Sequence, residues 1–374
     1  MRFLPRLAGW DDDETTVLDE YEGSPKEAFE AFGEDVSIVG AFEGRVNPWV
    51  VIFGLPIAIY LLGLTIAFAT GWGQEYLNDP VPPVFAITMF QFLEGARKFD
   101  TEFFAMLRDI EGAFDETEAR FYGFCGSLAE RLYEPWPTSS TPTSWLHPTR
   151  LLYVGFLGYV VVLAVTGIGA PPTDRPVADI AFFWLLTAIG IGEVVVLLWT
   201  ISVMFVFMAI YAQHLDIKLD PLRGPENLGL QPYGSFVVGI TIRLFLVLAV
   251  GGFSLFTTPS AFITTLFVGG LCVFAIWFVG TQYGLHRSIS RAKDEHREKV
   301  RAMHSDYDIE TNSDPDIEQV RNARLATEYA NQLDSLPSWP VTWRSIVRLV
   351  ATIVITLVSV GSGLVEIITH LLSF

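Results

Sequence analysis

Five stretches of this chain, 48–70, 149–170, 179–212, 235–256 and 260–282, stay apolar for the length an α-helix needs to cross a hydrocarbon layer of about 30 Å. No water satisfies an exposed peptide group in such a layer, and a helix closes its own hydrogen bonds. The expected fold class is therefore all-α, a polytopic helical membrane protein. A further apolar window covers 345–372. Composition agrees, because 51% of residues are hydrophobic and only 18% are charged, a balance foreign to soluble globular chains.

Loop charge sets the direction of the spans. The run Val84-Phe85-Ala86-Ile87-Thr88-Met89-Phe90-Gln91-Phe92-Leu93 is too short to assign from hydropathy alone. The stretch before it, 71–81, has no Lys or Arg, whereas Arg97, Lys98, Arg108, Arg120, Arg131 and Arg150 fill 97–150. If 82–96 crosses, the basic residues collect on one side: Arg2, Arg6, Lys26 and Arg45, then Lys218 and Arg223, then Arg287, Arg291, Lys293, Arg297, Lys299 and Arg301. Only Arg175 is left outside. About seven spans follow, with a cytoplasmic N-terminus, an outside C-terminus and a multi-pass location in the cell membrane. The alternative for 82–96 is a re-entrant hairpin, entered through Pro80, Pro82 and Pro83 and closed by Glu94, which would move the N-terminus outside. The first 47 residues include Asp11-Asp12-Asp13-Glu14 and no apolar core for a removable signal, so insertion is expected to use the spans themselves.

The charged residues divide the chain. An acidic cytoplasmic segment occupies 1–47, spans one and two 48–96, a cytoplasmic helical segment and linker 97–148, spans three to six 149–282, a cytoplasmic helical hairpin 283–344, and the seventh span 345–374. Within 97–134, Phe99, Phe103, Met106, Ile110 and Phe114 recur at helical spacing, so one face seeks a partner. Pro135-Trp136-Pro137 to Pro142 then breaks the pattern. Leu285, Ile289, Ala292, His296, Val300 and Met303 carry the sixth span into water as a coiled-coil-like seam. Asn312-Ser313-Asp314-Pro315 interrupts it, and Ile317, Val320, Leu325, Tyr329 and Leu333 predict a returning helix. The hairpin either packs on 97–134 of the same chain or joins subunits by self-association.

Ionisable groups inside a bilayer need a reason, since each costs about 2.5–3.5 kcal/mol at the helix centre. Glu193 and Arg243 both lie well inside spans, at similar depths, and an intramembrane ion pair between them is one solution. The other is a snorkelling Arg243 beside a protonated Glu193. The last span carries a polar stripe: Ser345, Arg348, Thr352, Thr356, Ser359, Gly363, Glu366 and His370 follow one another at three or four residues and share a helical face. Such a stripe either lines an aqueous path, with Glu366 at its outer mouth, or lets helices pack closely.

Catalytic and metal chemistry has little to stand on. There is no phosphate-binding lysine loop, no dinucleotide-binding glycine motif and no HExxH, so no enzyme and no cofactor are expected. Glu366 and His370 are two ligands at one helix end, short of a metal set. Cys125 and Cys272, the two cysteines, build neither a disulfide framework nor a thiolate site. A net charge of −18 argues against nucleic acid, leaving the lipid bilayer as the expected partner, with no ligand indicated.

Only five of the 24 basic residues are lysines, and few lysines with excess Asp and Glu resemble the proteins of salt-loving archaea. The turn-dense loop Leu219-Asp220-Pro221-Leu222-Arg223-Gly224-Pro225-Glu226-Asn227-Leu228-Gly229-Leu230-Gln231-Pro232-Tyr233-Gly234 resembles the Pro-Leu-His-Pro-Asp-x-x-Gly-Gly-Leu-x-Pro-Leu-Gly loop of uncharacterised prokaryotic multi-pass membrane proteins. Arg223 and Gly224 stand in place of the His-Pro, and Glu226 in place of the Asp. The span order, the extended sixth helix and the polar last helix also resemble, in architecture only, the insect odorant and gustatory receptor ion channels. Their Thr-Tyr and Gln-Phe signature has no counterpart in 345–372. That resemblance implies a homotetramer joined by cytoplasmic helices with the last span lining the pore. A homo-oligomeric ion channel is thus the leading expectation, against a non-conducting membrane sensor or scaffold acting through its cytoplasmic helices, or a secondary transporter.

Overall fold

A computed structural model describes residues 22–36, 47–133, 176–219, 229–253, 261–306, 317–359 and 361. The expected span 149–170, the linker 135–148, most of the loop 219–234, and Gly363, Glu366 and His370 lie outside these residues. Among the described residues the chain is helical with no strand, apart from one isolated bridge between Phe114 and Ile217. Four helices are long and apolar enough to cross a membrane, Pro48–Thr70, Val177–His214, Gln231–Gly252 and Phe267–Ala302, and they mark an integral membrane protein.

Local sequence explains where the helices begin. Helix α1 covers Pro25–Val36 and α2 covers Pro48–Thr70. Asn47 caps α2 by accepting the Trp49 amide at 3.0 Å, and Gly71, at φ 88°, takes the left-handed turn that ends it. After the short α3, Gly73–Asn78, helix α4 runs unbroken over Val81–Ile110, about 45 Å. Its first turn leaves no orphan donor: Pro82 and Pro83 have no N–H, the Val81 amide donates to the Asp79 carboxylate at 2.9 Å, and that of Val84 to the Pro80 carbonyl at 3.1 Å. A helix start of this kind suits apolar surroundings. The segment 97–134, expected to be helical, comprises the lower part of α4, a 3₁₀ turn at Glu111–Ala113, and α5 at Glu118–Tyr133.

Helix α6, Val177–Val206, passes into a π turn at Phe207–Tyr211 and a 3₁₀ turn at Ala212–His214. Helix α7 covers Gln231–Phe253, and α8 covers the 46 residues Ala261–Asp306, about 69 Å. Helix α9, Ile317–Ser335, returns along α8, and α10 covers Trp343–Ser359. Side-chain contacts give the directions. Arg97 lies over the Trp49 ring at 4.6 Å, Phe90 packs on Phe53 at 4.8 Å, and Pro83 shares a cavity wall with Pro56 and Tyr60, so α4 retraces α2 in reverse. Helix α6 starts beside the end of α2, where the Thr70 hydroxyl donates to Asp179 at 3.0 Å. Helix α7 is central and runs against both α4, with Phe236 5.5 Å from Phe99, and α8, with Phe245 6.2 Å from Phe274. Helix α10 lies along α7 in the same direction, from Pro340 beside Gly234 to Thr356 beside Phe245.

The bundle has two zones. At the charged end, the continuations of α4, α6, α7 and α8 join α1 and α5 around a dense core that includes Phe29, Phe32, Phe103, Leu107, Tyr122, Leu128, Met208, Leu285 and Ile289. In the apolar zone the large side chains point outward instead: Phe53 is 50% exposed, Ile57 54%, Ile276 65% and Val358 67%. Outward apolar residues at helix length are what a lipid solvent requires.

Candidate functional site

The ionisable groups within the apolar zone form the candidate site. Arg243 projects from α7 toward α4, and its Nε lies 3.4 Å from a carboxylate oxygen of Glu94, with both side chains about a quarter exposed. Gly95 and Gly239 lie beside it, and a Cβ on either would make only an ordinary van der Waals contact with the arginine. One turn further along the same face of α4, the carbonyl oxygen of Gln91 is buried with no described partner. Toward the charged end, Arg97 covers Trp49 at 4.6 Å, a cation–π contact placed where an aromatic ring marks the edge of the layer.

This arrangement corrects the expected pair. Arg243 is matched to Glu94, not to Glu193, because α4 rather than α6 runs antiparallel against α7 at that level. Glu193 stays on α6, one turn beyond Gly190, which faces Phe85 of α4, and no described residue pairs with it. Glu94 ends an apolar run in the sequence and therefore reads as a terminator. Its depth, a turn inside the edge set by Arg97, was the signal that could have paired it with Arg243.

The last-helix stripe divides. Thr352 and Thr356 are buried against α7, and the Thr356 hydroxyl donates to the Phe245 carbonyl at 3.0 Å as well as to Thr352 in its own helix. Arg348 is exposed at the edge of that contact. The side chain of Ser359 is outside the description, as are Gly363, Glu366 and His370. The Thr356 hydroxyl thus ties two helices together, whereas that of Thr352 donates to the Arg348 carbonyl of its own helix.

Two contacts carry no signal in hydropathy. Gly280, Gly284 and Ser288 form a small-residue face on α8 that receives the end of α6. A Cβ on Gly284 would collide with the Met208 carbonyl in the π turn, and the Ser288 hydroxyl donates to the Ala212 carbonyl at 2.9 Å. Beyond it, the connector between α9 and α10 is clamped. The His286 ring stacks on Trp339 at 4.3 Å and its Nδ1 donates to the Ser338 carbonyl at 2.7 Å, while the Lys293 ammonium donates to the Leu336 carbonyl at the end of α9.

At the charged end, Lys26 of α1 bonds Glu111 at 2.9 Å, and the Tyr122 hydroxyl donates to the same carboxylate at 2.8 Å. The hydrogen bond from Lys26 holds Glu111 below the ordinary carboxylate range, and Glu111 in turn raises Lys26. Burial, reinforced by this carboxylate, raises Tyr122. Between α2 and α4 lies a cavity of about 320 Å³ walled by residues such as Phe53, Pro56, Tyr60, Pro83 and Phe90. Its lining offers no set of converging polar groups to orient a ligand. Among the described residues no group of three or more His, Cys, Asp or Glu is placed to hold a metal. No family model, curated protein or solved structure matches the chain.

Proposed function

We propose that the chain is a seven-span protein of the cell membrane that works as a non-conducting sensor or scaffold through a cytoplasmic module built on the inner ends of its spans. The observation that carries this is the single core that continues from the apolar zone into the charged end, joining α1 and α5 to the extensions of α4, α6, α7 and α8. The burial of Thr352 and Thr356 against α7 supports it, because hydroxyls bonded inside one chain are withdrawn from any polar path between chains.

Helix directions support the seven spans. Helices α2, α7 and α10 lead away from the charged end, and α4, α6 and α8 lead toward it. Helix α5 finishes at the charged end, where the Trp199 indole donates to the Arg131 carbonyl at 3.0 Å, whereas α6 begins at the opposite end beside Thr70. A crossing within 149–170 reconciles the two. The basic residues gathered at the charged end support a cytoplasmic position for it.

A secondary transporter is the second reading, favoured by Glu94, Arg243 and Glu193 lying within the apolar zone. Recording from purified protein in planar bilayers at high salt separates conduction from its absence. Silence is expected, and cysteines at Thr352 and Thr356, with Cys125 and Cys272 replaced, should resist water-soluble thiol reagents. Discrete conductance altered by Thr356→Val would overturn the proposal in favour of a channel. Flux without discrete conductance, altered by Glu94→Gln, would favour the transporter.

A further inference from the structure

The exposed side of α10 joins two features that the buried side does not use. Arg344 and Arg348, one turn apart, are both exposed, and neither guanidinium has a partner among the described residues. Trp343, 75% exposed, stands beside them. Beyond Arg348 the same side continues as Ala351, Ile355 and Val358, all open. Height can be read from the neighbours: Pro340 lies at Gly234 of α7 and Thr356 at Phe245, while Phe236 of α7 lies at Phe99, just below the Arg97–Trp49 edge. Interpolation along α7 brings Arg344 and Arg348 to that edge, with the apolar ridge rising from it into the layer.

We infer that Arg344 and Arg348 form a binding site for the phosphate of an anionic lipid on the inner leaflet, with an acyl chain lying along Val347, Ala351 and Ile355. A guanidinium pairs with phosphate oxygens through two parallel N–H donors, and two guanidiniums a turn apart can grip one phosphate from both sides. Trp343 suits the headgroup level, where its ring is apolar and its N–H is wet. Charge complementarity selects the occupant. The chain as a whole carries −18 and repels an anionic leaflet, so a pair of cations with no carboxylate among their described neighbours marks where that leaflet is admitted. The site sits at the junction of the connector clamped by His286 and the last span, so a bound lipid would bear on both. The inference rests on α10 entering the bilayer, as the seven-span proposal holds.

The test uses full-length protein in nanodiscs. Brominated phosphatidylglycerol or brominated phosphatidylcholine is the quencher, and the Trp343 contribution is taken as the difference from Trp343→Phe. Stronger quenching by the anionic lipid is expected, with the preference falling roughly fivefold for each arginine replaced by alanine at low salt and shrinking as salt rises. Arg344→Lys with Arg348→Lys should keep part of the preference, which also guards against loss of fold in the alanine variants. Inorganic phosphate should compete poorly. Equal quenching by both lipids in the native protein would overturn the site, and full competition by inorganic phosphate would overturn its assignment to lipid. Cross-linking between copies through cysteine at Val347 would replace the lipid with a second chain. No quenching by either lipid would instead break the placement of α10 in the bilayer.

Discussion

Helix α4 passes through two surroundings without a break, and its aromatic residues behave oppositely in them. Phe90 meets Phe53 on a side open to the outside of the bundle, whereas Phe103, three turns on, is wholly buried among Phe99, Tyr133 and Phe236. The backbone is the same; the solvent differs. In the apolar zone lipid replaces water, so turning an apolar side chain outward costs nothing and cohesion must come from close backbone approach and from polar groups between helices. At the charged end the hydrophobic effect returns, and the core packs as it does in a soluble protein.

The contrast can be broken most sharply at its two extremes. Phe103→Ala should lower stability by about 3–5 kcal/mol in a thermal or denaturant titration, while Phe53→Ala should change it by well under 1 kcal/mol. Equal losses would mean the two zones share one solvent. Placing a charge reverses the ranking. Ile276→Lys, at an outward site of α8 in the apolar zone, should impair membrane insertion by about 3 kcal/mol, and Leu325→Lys, at an exposed site of α9, should leave insertion and yield unchanged.

Close approach gives the next test. Gly284→Ala should cost about 2–3 kcal/mol in the same melt, because the new methyl meets the Met208 backbone, whereas Gly192→Ala has open space and should be neutral. A smaller effect belongs to the ion pair. In a double-mutant cycle, Glu94→Gln and Arg243→Gln should show a coupling of about 1 kcal/mol, and Glu193→Gln combined with Arg243→Gln should show none. The smallest effect is a pH dependence confined to the charged end. Glu111 is held below its ordinary value, so its stabilisation of α1 is present above the unfolded carboxyl value and is lost as pH falls through the lowered folded value. The protection factors of the α1 amides, which correct for the slower intrinsic exchange at low pH, should therefore fall on acidification, and Glu111→Gln should abolish that response.

Much of the fold was legible because hydropathy and helical period are local properties. The apolar windows around α2, α6, α7 and α8 declare themselves within single stretches of chain, and the seam of Leu285, Ile289 and Ala292 announces that α8 continues past its span. Pairing is not local. Glu193 and Glu94 offer Arg243 similar chemistry, and only the antiparallel course of α4 along α7 decides between them. The hydroxyl face of α10 has the same period whether it meets water or a helix, so the contact of Thr356 with Phe245 had to be seen. Glycine carries no hydropathy signal at all, and the meeting of Gly284 with the Met208 carbonyl depends on a π turn that the alternation of apolar residues does not encode.

The unbroken length of α8 has a mechanical meaning. One helix of about 69 Å passes through the layer and the module beneath it, with no proline to break it. A tilt of about five degrees at its outer end becomes roughly 6 Å of sweep at its inner tip by the geometry of a rigid lever. Changes in the thickness or lateral pressure of the surrounding lipid, which tilt helices by small angles, are thereby converted into displacements at the charged end as large as a helix turn.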